Sequence, residues 1–164
     1  MTLDISYKKY KSSSDIHGTI LYPAPMIAPM QTDVLKLLIN KDKQTTIMDP
    51  FNGSGVVLYE ALSNFDNIVA FGMDINPYAI MISKVKLQGV EDSIEVDINR
   101  LEQLLNISEE VVVEHSFENI NKWFRKDIIL SFSKIRSSIM KIENTKNRMF
   151  FWVIFSNIIR KYSN

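Results

Sequence analysis

Two features of the sequence carry residue types that suit binding of a nucleoside. The first is a glycine-containing turn, Pro50-Phe51-Asn52-Gly53-Ser54-Gly55, which opens a predicted helix. Backbone N–H groups at a helix N-terminus face a ligand, and glycines let that ligand approach closely. The second is Asp74, nineteen positions after Gly55, where a carboxylate can accept hydrogen bonds from both hydroxyls of a ribose. Together these residues predict an adenosine site.

The residues around the turn discriminate between nucleoside cofactors. A dinucleotide motif has a third glycine where this chain has Leu58, and a P-loop requires Gly-Lys-Ser/Thr where it has Gly55-Val56-Val57. Asp49, just before the turn, would repel a diphosphate but not a cationic sulfonium or ammonium group. These observations favour S-adenosylmethionine as the cofactor.

The elements that must position these residues alternate between strand and helix. Asn76 and Pro77 are typical of the N-cap and first residue of a helix, and an earlier helix is predicted from Pro29 to about Asn40. Strand, helix, strand and helix are predicted in turn over Thr45–Asp49, Val56–Ser63, Asn67–Met73 and residues 77–88. This order predicts a parallel sheet with right-handed crossovers.

The rest of the chain has a different pattern. Helices are predicted over Asp92–Asn106, Lys126–Glu143 and Asn147–Tyr162, and the only extended candidate is Val111–Val113. We therefore expect an α/β chain with a Rossmann-like core, a partial parallel sheet and a helical C-terminal segment. Its expected parts are a flexible segment 1–16, a cofactor-binding subdomain 17–90, and a mostly helical basic segment 91–164 in the same domain.

Two stretches of the sequence resemble the cofactor-binding motifs of DNA methyltransferases that methylate exocyclic amino groups. They are Asp49-Pro50-Phe51-Asn52-Gly53-Ser54-Gly55, followed by Glu60-Ala61, and Gly72-Met73-Asp74-Ile75-Asn76-Pro77. The segment from His17 to Ala24 resembles the part that precedes the glycine turn in one branch of that family, where it packs beside the methionine end of the cofactor. Trp123-Phe124 and the following helices resemble an insertion of the same branch.

The resemblance implies a role for individual residues. Asp74 would hold the ribose, Ile75 would pack against the adenine, and Tyr22 and Pro23 would lie near the methionine end. The residues implied to line the cofactor are Asp49, Pro50, Phe51, Asn52, Gly53, Ser54 and Gly55. The reaction implied is transfer of a methyl group to N6 of adenine or N4 of cytosine in DNA, as in restriction–modification systems.

One motif of that family is missing from the sequence. Amino-directed methylation uses a tetrapeptide Asp/Asn/Ser-Pro-Pro-aromatic to hold the flipped base, and this chain contains no Pro-Pro. We therefore expect the chain to be a cofactor-binding portion that is inactive without a C-terminal catalytic half or a separate subunit. Two alternatives remain: a relative of RNA guanine-amino methyltransferases, which share a similar turn, and a truncated, non-catalytic module that binds cofactor or DNA.

Composition narrows the remaining function classes. The 164 residues include no cysteine, which excludes disulfides, thiolate metal sites and the cysteine nucleophile of cytosine-C5 methylation. Neither His17 nor His115 has acidic residues at metal-ligand spacing, so no metal site is predicted. No signal peptide and no apolar run of about 20 residues is present, which predicts a cytoplasmic protein.

The zero net charge conceals a segregation of charge. Residues 41–120 hold five basic and fourteen acidic side chains, whereas residues 121–164 hold ten basic and two acidic ones. The basic segment could contact a DNA backbone, or it could be neutralised by the acidic middle of the same fold. The side chains that we expect to contact DNA are Arg125, Lys134, Arg136 and Lys141.

Overall fold

The structure is a computed structural model. The chain forms two compact units, Met1–Gln88 and Gly89–Asn164. Most of the expected flexible segment 1–16 lies outside the residues that the structure describes. The described residues are 6–7, 9–11, 15–20, 22–23, 26–108, 111–113 and 115–163.

The first unit alternates helices and strands as the sequence predicts. Helix α2 begins after Gly55, whose φ of 77° is left-handed, and α3 begins at Pro77 with the Asn76 side chain accepting the Tyr78 N–H at 3.0 Å. In chain order its elements are α1 (Ala28–Leu38), β1 (Thr45–Asp49), α2 (Val56–Asn64), β2 (Ile68–Gly72) and α3 (Pro77–Gln88).

The two strands pair in parallel, with Thr45 opposite Ile68 and Asp49 opposite Gly72. Two further backbone bonds of 2.9 Å continue the pairing past the strand ends: the Met73 N–H donates to the Asp49 carbonyl, and the Asn52 N–H donates to the Met73 carbonyl. The carboxyl ends of both strands therefore meet where the glycine turn and Asp74 follow, which is where ligands bind in parallel sheets.

The two faces of this sheet differ in burial. Ile47 and Ile68, on one face, pack against the buried side chains of Leu35 on α1 and Ala61 on α2. On the other face Met48 is 61% and Phe71 is 56% exposed. The first face is the core of this unit, and the second is an apolar surface that the described residues of this unit do not cover.

The second unit is helical. Its core is formed by Ile139, Ile142, Phe151 and Phe155, on and between its two longest helices. The helices are α4 (Ile94–Asn106), α5 (Ile120–Trp123), α6 (Lys126–Met140) and α7 (Thr145–Lys161).

A fully buried asparagine joins two of these helices. Asn147 on α7 donates to the Asp97 carboxylate of α4 at 2.7 Å and accepts the Glu91 N–H at 2.8 Å. Since an unpaired buried amide is costly, these bonds fix α7 against the start of α4.

The elements of the two units confirm the predicted α/β class, the partial parallel sheet and the helical C-terminal segment.

Some predicted boundaries differ from the structure for local reasons. Val111–Val113 is not a strand, since no described strand lies beside it to pair with. Helix α7 begins at Thr145 rather than Asn147, because the Asn144 side chain accepts the N–H groups of Lys146 and Asn147. Strand β2 begins after Asn67, whose φ of 56° does not suit an extended strand.

A buried polar cluster ties the residues before α1 to the helices of the first unit. The His17 side chain is 2% exposed, and its Nε2 lies 3.0 Å from the Glu60 carboxylate on α2. The Lys86 ammonium on α3 lies 3.5 Å from its Nδ1. Asp15 accepts the His17 N–H at 2.8 Å and the Tyr10 hydroxyl at 2.7 Å. Burial, the Asp15 hydrogen bond and nearby carboxylate charges raise the pKa of Tyr10 to about 12.

Burial lowers the pKa of Lys86 from 10.5 to about 8, against the opposing effect of the Asp15 charge. At pH values between about 8 and 10.5, Lys86 keeps its proton in the unfolded chain but has lost it in the folded chain. The free energy of unfolding must therefore rise with pH over this range. We expect a rise of about 1.5 kcal/mol between about pH 8 and about pH 9.5, measured by urea unfolding followed by circular dichroism.

The Lys86→Met variant is the control for this prediction, because it removes the titrating group and keeps an apolar stem of similar length. Its unfolding free energy should change little over the same pH window. A wild type that shows no more pH dependence than the variant would contradict the assignment of the shift to Lys86.

Candidate functional site

A cleft of about 200 Å³ lies where the two strands end. It is bounded by the glycine turn after β1, by Asp74 after β2 and by Tyr22 from the segment before α1. The residues that line it are Tyr22, Met26, Asp49, Phe51, Asn52, Gly53, Ser54, Val56, Val57 and Asp74.

Asp74 joins the two connections that form the cleft. One of its carboxylate oxygens accepts the Gly53 N–H at 2.7 Å, and the other accepts the Asn76 N–H at 2.8 Å. Each carboxylate oxygen can accept a second hydrogen bond, so Asp74 retains the capacity to bind two hydroxyl donors. The backbone amides hold the carboxylate in one orientation at the edge of the cleft.

The two glycines of the turn occupy conformations that other residues rarely adopt. Gly53 has a φ of 51°, and a Cβ there would lie 3.5 Å from Cε1 of Tyr22. Gly55 has a φ of 77°, and a Cβ there would lie 2.8 Å from Oγ and 3.3 Å from Cα of Ser83 on α3. Glycine at position 55 thus lets the turn pack directly on α3, which holds the start of α2 at the cleft.

Asn52 supports the turn from beneath. Its side-chain amide donates to the Ser83 hydroxyl at 2.7 Å. Its buried Oδ1 has no hydrogen-bond partner among the described residues, and this atom would lie 2.9 Å from a Cβ at Gly72. Gly72 and Ser83, neither of which is among the predicted site residues, therefore shape the turn. Gly72 lies within the stretch that carries the resemblance, but Ser83 has no sequence signal.

The charge of the cleft is negative. Asp49 is half-buried and accepts the Phe51 N–H at 3.0 Å, and Asp74 is the second carboxylate. No lysine or arginine is among the described residues that line the cleft. Such a lining favours hydroxyl groups and cations and disfavours phosphates.

The structure brings together seven of the eleven residues predicted to bind the cofactor. Pro23, Pro50, Gly55 and Ile75 do not line the cleft, and Ile75 is fully exposed next to Asp74. Met26, Val56 and Val57 also line it, although no feature of the sequence marks them as site residues. The predicted residues that line the cleft are Tyr22, Asp49, Phe51, Asn52, Gly53, Ser54 and Asp74.

These residues fit an adenosyl sulfonium cofactor. The anchored Asp74 carboxylate offers acceptors for a ribose diol, and a second carboxylate without basic neighbours tolerates a positive sulfonium or ammonium group. The exposed rings and aliphatic chains of Phe51 and Ile75 beside the cleft offer apolar surface to a base. No group of three or more His, Asp or Glu side chains suited to a metal ion occurs among the described residues.

The four basic residues predicted to contact DNA all lie on or beside α6. Arg125 pairs with Asp127 through bonds of 3.0 and 2.5 Å, which raises the pKa of Arg125 and lowers that of Asp127. Lys134 donates to the carbonyl of Ile107 at 2.9 Å. Lys141 is exposed, seven positions after Lys134 and therefore on the same side of the helix.

Arg136 has different surroundings from the other three. It is half-buried and lies at an apolar groove of about 180 Å³ that includes Phe124 and Phe132. Phe124 is buried and its ring packs against that of Phe132 at a steep angle, while Trp123 is exposed. Within the described part of the chain, no helix is long and apolar enough to span a membrane.

Comparison with known proteins identifies similar sequences. The chain is 31% identical over 160 residues to the type II methyltransferase M.MvaI of Kocuria varians, a match that covers 90% of this chain and 34% of that protein. It is 27% identical over 131 residues to the type II methyltransferase M.MjaII of Methanocaldococcus jannaschii, covering 73% of this chain and 23% of that protein. The chain thus spans about a third or less of each of these relatives.

No solved structure is detectably similar to the chain. A family model described as D12 class N6 adenine-specific DNA methyltransferase matches residues 31–160, which include the glycine turn, Asp74 and all of α4 to α6. The chain belongs to this family of DNA methyltransferases.

Proposed function

We propose that this chain is the S-adenosylmethionine-binding portion of a DNA methyltransferase that methylates an exocyclic amino group of adenine or cytosine. The observation that carries the proposal is the Asp74 carboxylate, fixed by the Gly53 and Asn76 amides beside a cleft that has no basic lining residue among those described. DNA is preferred to RNA as the substrate because the family description names DNA, and that description also favours adenine N6.

Individual residues have separate tasks in this proposal. Asp74 binds the ribose hydroxyls, and Asp49 provides the negative charge that tolerates the cationic end of the cofactor. Tyr22 and Phe51 supply aromatic walls. Bound S-adenosylmethionine supplies an electrophilic methyl group on a sulfonium.

The Asp74→Ala variant tests the cofactor assignment. Removing a charge-assisted hydrogen-bond acceptor should weaken binding by about 1.5–3 kcal/mol, or about tenfold to a hundredfold in Kd. Isothermal titration with S-adenosylhomocysteine, the demethylated product, measures the effect. Asp66→Ala is the matched control, because Asp66 is an exposed aspartate of the same unit outside the cleft, and its Kd should equal that of the wild type.

Circular dichroism must show that the Asp74 variant is folded, since this carboxylate also accepts two backbone amides. An unchanged Kd in the folded variant would remove Asp74 from the cofactor site. A folded wild type that binds neither S-adenosylmethionine nor its product would contradict the proposed function.

The base-binding part of the reaction requires residues that this chain does not contain. The sequence has no Pro-Pro-aromatic tetrapeptide, and the chain spans about a third of the M.MvaI relative. We propose that a catalytic half, carried on further residues or on a separate subunit, completes the site. The exposed apolar face at Met48 and Phe71 supports this proposal, because both faces of a parallel sheet are normally covered.

The 164-residue chain alone should therefore not methylate DNA, since nothing would orient a flipped base toward the methyl group. Incubation with tritiated S-adenosylmethionine and mixed-sequence duplex DNA should leave no label on the DNA above background. The positive control is the same assay with a complete amino methyltransferase. Strong labelling by the isolated chain would show that its catalytic residues lie elsewhere in the sequence.

DNA binding by the basic segment is a separate part of the proposal. Lys134 and Lys141 share one side of α6, where they can follow a phosphate backbone. When a basic side chain neutralises a phosphate, the plot of log K for DNA association against log salt concentration becomes steeper by about 0.9. The double variant Lys134→Glu/Lys141→Glu should therefore make this slope shallower by about two units. Fluorescence anisotropy with labelled duplex DNA measures it.

The charge-matched control is Lys41→Glu/Lys43→Glu, which reverses two exposed lysines in the turn before β1 of the first unit. This control should keep the wild-type slope. Equal slopes for the wild type and both double variants would mean that the basic side chains of α6 do not contact DNA. Their charge would then be neutralised by acidic residues of the same fold.

A further inference from the structure

The carboxylate of Glu60 bonds to two residues from separate parts of the chain, His17 before α1 and Thr32 on α1. Its Oε1 lies 3.0 Å from Nε2 of His17, and its Oε2 accepts the Thr32 hydroxyl of α1. The side chains of His17 and Glu60 are 2% and 14% exposed. Water therefore competes little for these hydrogen bonds, and both bonds are made to the same rigid group on α2.

The residues between these two points form part of the cofactor cleft. Tyr22 and Met26 lie between His17 and Thr32 in the sequence, and both line the cleft. Tyr22 has its Cε1 atom 3.5 Å from the Cβ position that Gly53 leaves open. The two bonds of Glu60 therefore flank, in the sequence, the two residues that line the cleft opposite the glycine turn, Tyr22 and Met26.

The orientation of the His17 ring is fixed from other sides as well. The Lys86 ammonium, which is only a donor, faces Nδ1, so Nε2 carries the proton that is donated to Glu60. The ring lies nearly perpendicular to the ring of Tyr59, with centroids 5.2 Å apart. Asp15 accepts the backbone N–H of His17. Among these contacts, the hydrogen bond that Glu60 accepts from the ring is the one that connects His17 to α2, the helix after the glycine turn.

We propose that Glu60 is a positioning residue for the cofactor: by bonding both His17 and Thr32 it sets the distance between the glycine turn and the wall that Tyr22 and Met26 form. This inference rests on the proposed function, since the cofactor is the ligand that the wall encloses. Glu60 itself is not among the residues that line the cleft.

The test compares four variants of the whole chain. Glu60→Ala removes both bonds, and Thr32→Val removes one with little change of shape. Glu60→Gln restores both, because its oxygen can accept from His17 and its amide can donate to the Thr32 hydroxyl, which can in turn donate to the Ala28 carbonyl at 3.3 Å. Asn64→Ala is the control, since Asn64 also donates to Glu60 at 3.2 Å but lies on α2 itself.

Isothermal titration with S-adenosylhomocysteine should show a Kd about tenfold higher for Glu60→Ala and a smaller increase for Thr32→Val. Glu60→Gln should stay within about threefold of the wild type, and Asn64→Ala should equal it. Hydrogen exchange measured by mass spectrometry should show faster exchange over residues 18–31 in Glu60→Ala, with the peptides of β1 and β2 unchanged.

Two results would overturn the proposal: a wild-type Kd in folded Glu60→Ala, or a loss of affinity in Asn64→Ala as large as in Thr32→Val. If Glu60→Ala does not fold, Thr32→Val and Glu60→Gln give the same comparison. The exchange measurement needs no ligand, so it separates the two hypotheses. A wild type that binds no cofactor contradicts the proposed function, whereas unchanged exchange over residues 18–31 contradicts the role of Glu60.

Discussion

The hydrogen bonds from the Gly53 and Asn76 amides to the Asp74 carboxylate are the constraint on which the candidate site depends. One amide belongs to the turn after β1 and the other to the start of α3. The carboxylate therefore fixes the two crossover connections relative to each other at the ends of two paired strands. The capacity to bind a ligand and the local stability depend on the same side chain, because the carboxylate that accepts the amides also lines the cleft.

The arrangement of charge at the cleft favours one class of ligand over another. Phosphate-binding sites of similar topology present backbone amides to an anion at the start of a helix. Here the amide of Gly53 is taken by Asp74, and Asp49 adds a second negative charge at the same edge. A ligand that carries hydroxyl groups and a positive charge suits this edge, and a diphosphate does not. Membership of a DNA methyltransferase family, which requires a methyl donor, agrees with this electrostatic argument.

Those parts of the site that depend on neighbouring residues could be predicted from the sequence. The turn at Gly53 and Gly55, the cap at Asn76 and the strand before Asp49 were predicted correctly, because left-handed glycines, capping side chains and β-branched runs act locally. Ser83 and the bonds of Glu60 to His17 and Thr32 could not be predicted, because they join residues 28 to 43 positions apart. Val111–Val113 has the composition of a strand but no described neighbour to pair with, so its propensity has no effect.

The most direct measurement of the central claim is an NMR titration of the ¹⁵N-labelled chain with S-adenosylhomocysteine. The Gly53 and Asn76 amides donate to the carboxylate that would bind the ribose, so their signals should shift as the ligand is added. Signals from α7, in the second unit, should not move. If the ligand binds while the Gly53 and Asn76 signals stay unchanged, Asp74 is not the ribose-binding residue and the account is wrong.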